Sequence, residues 1–296
     1  MRHILILPGL LLCLPLLAAD KEGPKHELKP TANGDGFMLF RTGAKNPLLV
    51  QNCPRNERPF IHPLLAPDGK GVLTELSPSH HKHQTGIYVG FLKVNGRDYF
   101  HNRGGDYFRQ ESAQPTKPEG GRTGWKVVYQ WLGQEKGSVL LTETQEWTLT
   151  DSGSAYFLDL AWSAKAETDL TFGKYDYGGL FVRMPWQAKT GGEAVNSDGK
   201  KNGAAEGQGA RWVDIGMPIE GRDDWGHIAI LDHKENPEHP SLWRVDGQLG
   251  VGPARSRLGD WKVARGQTAK FRYRFVVYCG KTDTERVEAA WKEFGK

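Results

Sequence analysis

The chain has 296 residues, 38 % of them hydrophobic, and 39 Lys and Arg against 35 Asp and Glu give a formal net charge of +4. That length suits one large all-β domain or two small ones. A basic excess this small, spread along the chain, excludes a nucleic-acid footprint.

Residues 1–19, MRHILILPGLLLCLPLLAA, read as a signal peptide for export. Arg2 supplies the positive end, an apolar run follows, and Leu17-Ala18-Ala19 offers a small-residue cleavage site before Asp20. The run is short and interrupted by Pro8 and Pro15, which argues against a membrane span. Cys13 lacks the small residues that precede a lipid-modified cysteine. Loss of Arg2 leaves 38 basic against 35 acidic residues, a net +3, on a mature chain expected in the periplasm or outside the cell. No second apolar stretch is long enough to cross a bilayer, so that mature chain is expected to be soluble, with no transmembrane segment.

Residues 20–34, DKEGPKHELKPTANG, are polar and contain Pro and Gly, as a flexible leader would. From residue 35 to 296 the dominant signal is period-two alternation. WKVVYQWL, SVLLTETQEWTLT, AYFLDLAWS, HIAIL and KFRYRFVVYC are the strongest runs. In the last, Phe271, Tyr273, Phe275, Val277 and Cys279 share one face. DGKG at 68–71, NGRD at 95–98 and TDSGS at 150–154 are turn signals between such runs. A helical pattern is confined to the C-terminus, where Thr282 and Glu285 could form a capping box and Val287, Trp291 and Phe294 share a face before Gly295. The expectation is an all-β fold, a single large antiparallel β-sandwich with a short C-terminal helix. No period of 20 to 50 residues repeats, which leaves propellers and solenoids unsupported. The Gly-rich segment 187–211 reads as an exposed, mobile loop, or alternatively as a loop that closes over a ligand. Cys53 and Cys279 could pair in an oxidising compartment; a buried free thiol suits Cys279 equally.

Three clusters carry residues suited to chemistry. In SPSHHKHQTGIYVGF, residues 77–91, three of the ten histidines fall within four positions. If Gly86–Phe91 is a strand, His81 and His83 point to one side at its entrance and can share one metal ion or one sugar ring, while His80 points the other way. The alternative is a loop of solvated imidazoles. His62 and His101 are possible partners that no spacing assigns. The second cluster, LDHKENPEHPSLWR at 231–244, holds Asp232, His233, Asn236, His239, Trp243 and Arg244. Carboxylate, imidazole, amide, guanidinium and an indole face together suit a polyhydroxylated ligand; alternatively Asn236-Pro237 and His239-Pro240 build turns and Trp243 is core. The third, KYDYGGLFVRMPW at 174–186, has Asp176 and Arg183 around Gly178-Gly179. The glycine pair marks a bulge or a close backbone approach. Asp176 is a carboxylate partner for an imidazole acid or base, or half of an ordinary surface ion pair with Arg183. Serine-hydrolase, phosphate-loop and His-Glu-x-x-His signatures are absent.

At these places the chain resembles the PmoA-like family of exported bacterial proteins, often labelled methane oxygenase PmoA. The matching residues are Arg58-Pro59-Phe60, Pro67-Asp68-Gly69, HHKHQTG at 80–86, Val94-Asn95-Gly96, RWVDIG, HIAILDHKENPEHPSLWR and the 247–250 region. Against that family's pattern, His80 replaces an aspartate, Gln84 a third histidine, Thr85 an arginine, and Tyr177 stands where a glutamate is usual. The label implies an oxygenase, but a membrane-bound methane-oxidising subunit needs several spanning helices. The resemblance better implies carbohydrate work on a galactose-mutarotase-like sandwich, a fold-level analogy.

The expected function is therefore an exported carbohydrate-active enzyme acting on a glycan or sugar derivative. His81, His83 and His239 supply acid and base, Asp176 a carboxylate, and Arg183 and Arg244 hold a sugar oxygen or carboxylate. Gln84, Asp232, His233, Asn236 and Trp243 complete the binding set. Hydrolysis, elimination and epimerisation all remain open, and no cofactor or metal is assigned. A non-catalytic glycan-binding protein is the alternative. A metal-dependent oxygenase, with His81, His83 and Asp176 as its facial set, is the third reading.

Overall fold

The computed structural model describes residues 23–79, 81–102, 106–117 and 122–296. Residues 1–19, read as an export signal, and His80 lie outside the described residues. The chain starts in one sheet with β1 (His26–Pro30), β2 (Gly36–Arg41), β3 (Leu49–Asn52), β4 (Phe60–Leu64) and β5 (Ile87–Gly90). It crosses to a second sheet with β6 (Phe108–Pro115), β7 (Thr123–Leu132), β8 (Val139–Asp151) and β9 (Tyr156–Ala166). After β10 (Leu170–Phe172), β11 (Gly179–Val182) returns to the first sheet, and β12 (Glu193–Asn196), β13 (Trp212–Pro218) and β14 (Trp225–Asp232) join the second. The first sheet ends with β15 (Trp243–Val245) and β16 (Val251–Pro253), β17 (Trp261–Val263) pairs with β10, and β18 (Thr268–Cys279) runs through the second sheet. Helix α1 (Thr284–Phe294) closes the chain. Both large sheets have eight strands, ordered β1-β2-β3-β4-β5-β11-β16-β15 and β12-β13-β14-β18-β9-β8-β7-β6, and both are antiparallel. The fold is the expected all-β sandwich.

Alternation explains the layers. Every second residue of β7 (Trp125, Val127, Tyr129, Trp131) and of β18 (Phe271, Tyr273, Phe275, Val277) faces a core shared with Leu39, Leu49, Ile61, Ile87 and Val89 of the first sheet. That inward face also carries four indoles, whose N–H groups need acceptors once water is gone. Glu143 and Gln145 on the inner face of β8 supply them. Glu143 accepts from Trp131 at 2.8 Å, Trp162 at 2.6 Å and Gln145 at 2.8 Å, and Gln145 accepts from Trp147 at 3.0 Å. Burial raises the Glu143 carboxyl, and these donors only partly oppose it. The fourth indole, Trp125, donates across the sandwich to Gln51 of β3 at 3.0 Å.

The outer face of the second sheet is covered by α1, with Val287 and Ala290 on Val195, Trp212, Leu231, Val276 and Tyr278. The outer face of the first sheet carries a separate aromatic cluster, Tyr88, Leu92, Phe100 and Phe181, with Phe60, Tyr175 and Tyr177 against it.

Three local expectations are corrected, and the open alternative for the two cysteines is decided. His26–Pro30, inside the stretch read as a leader, is an edge strand paired with β2. Segment 187–211 holds β12 and a 3-10 turn at Asn202–Ala204, and it buries Ala205 and Ala210. The helix cap is Asp283, whose carboxylate accepts from Arg286 N at 2.9 Å, rather than a Thr282 capping box. Cys53 and Cys279 are both free thiols.

One buried carboxylate ties the start of the chain to the far sheet. Asp151 ends β8 with no exposed side-chain surface, and it accepts from His26 at 2.9 Å and from Arg41 Nε at 2.7 Å. Burial raises this carboxyl, but the His26 and Arg41 hydrogen bonds outweigh it and bring it down to about 2 from 3.8. A carboxylate lowered on folding contributes stability that is complete above its unfolded value and lost as pH falls through the folded one. Asp151→Asn should therefore cost about 2 kcal/mol at neutral pH. It should also flatten the decline in stability that the native chain shows between roughly pH 4 and pH 2. Urea unfolding followed across that range checks both.

Candidate functional site

The site is built on the outer face of the first sheet, where loops before and after β5 meet the turn before β11. The 77–86 loop is folded back on itself by Ser77 N to Gln84 O at 2.7 Å and Gln84 N to His81 O at 2.9 Å. It enters β5 through Gly86, at φ +73°, where an added Cβ would stand 2.3 Å from Ile61 O, so that only glycine fits. Beyond β5, Asn95 and Gly96 turn the chain and bring Asp98 and His101 back over the strand.

Arg58 locks these loops together. It is 3 % exposed, its guanidinium lies 3.9 Å from the Tyr88 ring centroid, and its two Nη atoms donate to the carbonyls of Phe100 and His83. Burial lowers its pKa, while Tyr88, Glu57, Asp98 and Glu143 pull the other way.

The loops surround a pocket of about 700 Å³. Three imidazoles enter it: the His81 and His83 rings are 5.7 Å apart, and the His83 and His101 rings 4.5 Å apart. His101 has a partner on each ring nitrogen. Nδ1 meets the Asp98 carboxylate at 2.7 Å, and Nε2 meets the Tyr177 hydroxyl at 3.3 Å. The other Asp98 oxygen accepts from the backbone N–H of Phe100 and His101. Burial raises the Asp98 carboxyl, but the His101 ring and these N–H groups overcome it and hold it below the usual carboxylate range. The Tyr177 phenol is pushed up to about 12, by burial first and then by Tyr175, against the opposing charge of Arg244.

The remaining lining is mixed. Glu57 and Asp246 supply carboxylates, Lys82 and Arg244 cations, Gln84 and Asn102 amides, and Phe100 and Phe181 apolar faces. Gln84 is 3 % exposed, and its Oε1 has no hydrogen-bond partner among the described residues. Arg244 lies 5.5 Å from the Tyr177 ring centroid and is anchored to Glu206 at 2.9 Å. The Gly178-Gly179 pair does mark a close approach. Both have positive φ, and added Cβ atoms would lie 3.3 Å from Leu92 and from the Phe91 ring, so the pair lets the Tyr175–Tyr177 turn sit down on β5.

Four of the expected residues thus converge: His81, His83, Gln84 and Arg244. The others do not line the pocket. Asp176 is exposed on the turn before β11. Arg183 is fully buried beneath the site, bonded to Gln248 and 3.7 Å from Asp246, so it positions the 246–250 turn. Asp232, His233, Asn236 and His239 form a knot under α1. Asp232 accepts from Asn236 at 2.7 Å, His239 at 2.8 Å and Ser241 N at 2.8 Å, and its carbonyl accepts from Trp291. His239 stacks on Trp291, and His233 meets the Phe294 ring edge-on. The chain then enters β15, where alternation turns Trp243 into the core and Arg244 out to the pocket, leaving Trp243 no stacking role. Sequence reasoning missed Asp98, Tyr177, Glu57 and Asp246 and left His101 unassigned. The signal for Asp98 and His101 was local, since they sit three apart just after an Asn-Gly turn.

The facial set of His81, His83 and Asp176 is not assembled. Among the described residues no three His, Cys, Asp or Glu side chains gather in a way that could hold a metal ion.

The chain matches the model of DUF6807, a family of unknown function, over residues 43–292, and it belongs to that family. This overturns the PmoA-like resemblance, since the residues quoted for it fall within the DUF6807 match. No curated protein matches the chain. Among solved structures it is similar to a GH36 α-galactosidase from Geobacillus stearothermophilus, with 11 % identity, a TM-score of 0.40, and coverage of 86 % of this chain and 41 % of that one. It is also similar to the Slr1438 protein of Synechocystis, with 9 % identity, a TM-score of 0.37 and coverage of 94 % and 99 %. A galactose mutarotase related enzyme from Lactobacillus acidophilus has 9 % identity, a TM-score of 0.34 and coverage of 85 % and 97 %. At these scores the likeness carries no argument about function.

Arg58→Met should cost about 3 kcal/mol, because two carbonyls lose a charged donor and the loops lose their tie. Arg58→Lys should recover only part of it, since an ammonium on one stem does not reproduce the fork. Urea midpoints, with proteolytic cleavage within 77–102 in the native state, test this.

Proposed function

We propose that the pocket is the acid–base centre of an exported enzyme that acts on a carbohydrate. The observation that carries the reading is His101, with a carboxylate on one ring nitrogen and a phenol on the other, beside two further imidazoles. Asp98 holds a proton on Nδ1 and leaves Nε2 as the acceptor, so the Tyr177 hydroxyl donates to it when no ligand is present. A bound sugar presents a hydroxyl or an acidic C–H to Nε2 in place of that phenol. His101 takes the proton, and Asp98 stabilises the imidazolium that forms. Tyr177, a phenol that is protonated near neutral pH and is pushed up further by burial, turns its O–H to a substrate oxygen. His83, in ring contact with His101, is a second imidazole within reach of the same substrate atoms.

The lining fits a sugar. The vacant Gln84 Oε1, the Glu57 and Asp246 carboxylates and the Arg244 guanidinium match hydroxyl groups, and Phe100, Phe181 and Tyr177 match the apolar side of a ring. An imidazole-centred set suits epimerisation or elimination, which turn on proton transfer at carbon, better than hydrolysis, which uses a flanking carboxylate pair. Export is supported by the composition of residues 1–19. No helix among the described residues is long and apolar enough to cross a membrane.

The test is incubation of the full chain with a panel of sugars and oligosaccharides in heavy water, followed by NMR. The wild type should form either an epimer carrying solvent deuterium at the inverted carbon or, by elimination, an unsaturated sugar with loss of the leaving group; His101→Gln should lower the rate by about a hundredfold or more, and His239→Gln should leave it unchanged. Binding with no turnover in the wild type would instead make the protein a non-catalytic glycan binder.

A further inference from the structure

A second hollow of about 480 Å³ adjoins the pocket and shares two side chains with it, His101 and Tyr177. Its other walls are Tyr175, Lys93, Asp98, Leu92 and Gly96. The Tyr175 and Tyr177 rings are 5.0 Å apart and nearly perpendicular, and Lys93 Nζ lies 5.3 Å from the Tyr175 centroid. The pair assigned to proton transfer therefore stands at a boundary, with room for ligand on both sides.

We infer that the substrate is a chain of two or more sugar units that crosses the His101–Tyr177 boundary, one unit in each hollow; this rests on the carbohydrate reading and adds its length requirement. Each hollow falls within the size range of small-molecule sites. The second is furnished for a ring rather than a lone ion. Tyr175 offers an aromatic face, Lys93 a donor for hydroxyl or carboxylate oxygen, and the half-exposed Asp98 an acceptor. A monosaccharide in the larger pocket reaches His101 but leaves Tyr175 and Lys93 without a ligand contact. A longer chain engages them and fixes the reacting carbon against Nε2. Tyr175 and Lys93 are thus specificity residues for the unit beyond the boundary; Tyr175 packs against Tyr177, whereas Lys93 sits over Tyr175, one side chain further from the proton-transfer pair.

The experiment is calorimetric titration of the full chain with gluco-, galacto-, manno- and galacturono-oligosaccharides of one to four units, for the wild type, Tyr175→Ala and Lys93→Gln. In one series the wild-type affinity should rise at least tenfold from one unit to two. Both variants should then weaken the chains of two or more at least fivefold while leaving the monosaccharide within twofold. The Lys93 variant, at an exposed position, keeps the test valid if Tyr175→Ala fails to fold. Affinity that does not depend on length, or variants that weaken the monosaccharide equally, would overturn the inference and leave the carbohydrate reading standing. No binding by any sugar at any length would remove both.

Discussion

The guanidinium of Arg58 joins segments that the sheet alone would leave independent. It lies under the site, against the Tyr88 ring, and holds the carbonyls of His83 and Phe100. Those two carbonyls belong to the loop before β5 and the loop after it. Each loop has ties of its own, such as Tyr99 hydroxyl to Leu132 O after β5 and Arg183 N to Gly86 O before it, but Arg58 joins the two loops directly. With it, the imidazoles of His83 and His101 are kept at ring-contact distance, although 17 residues and a strand separate them. A lysine could not do this, because the two carbonyls require a planar fork with donors in two directions.

The same logic appears in the interior on a larger scale. A sandwich whose second sheet turns four indoles inward must give each N–H an acceptor or lose stability at each one. Glu143 and Gln145 do so in series on the inner face of β8, and Gln51 does so from the opposite sheet. The core is therefore partly polar by necessity. Its polar groups are inside because aromatic bulk brought them there, and they have no contact with the pocket. Buried charge alone does not mark a site in this molecule. The Asp232 knot makes the point, since its carboxylate, two imidazoles and amide hold α1 and the 232–242 turn together on the far layer.

The strands most legible in the sequence were those that alternate strongly: β7, β8, β9, β14 and β18 all lie where period two puts them. β1 and β12 were not legible. HELKP is polar on both faces because it is an edge strand, held by pairing with β2 and by His26 reaching Asp151 more than a hundred residues away. EAVN is strand only because β13 offers a free edge, and its Gly-rich flanks supply the turn rather than a loose loop. In the site, His81 and His83 were legible because three imidazoles crowded into four positions stand out in any chain. Asp98 and Tyr177 were not, being ordinary residues until something places them.

The sequence by itself determined the all-β class, the inward and outward alternation along each strong strand, and the entry of histidines at the mouth of β5. Tertiary structure decided which outward residues share a hollow. In the first sheet β5 lies beside β11, β11 beside β16, and β15 beyond β16, so Tyr177, Asp246 and Arg244 come from distant parts of the chain to stand over His83 and His101. The reason is physical. The direction of a side chain along a strand follows from local backbone geometry with a period of two, whereas strand order comes from long-range pairing that no single segment encodes.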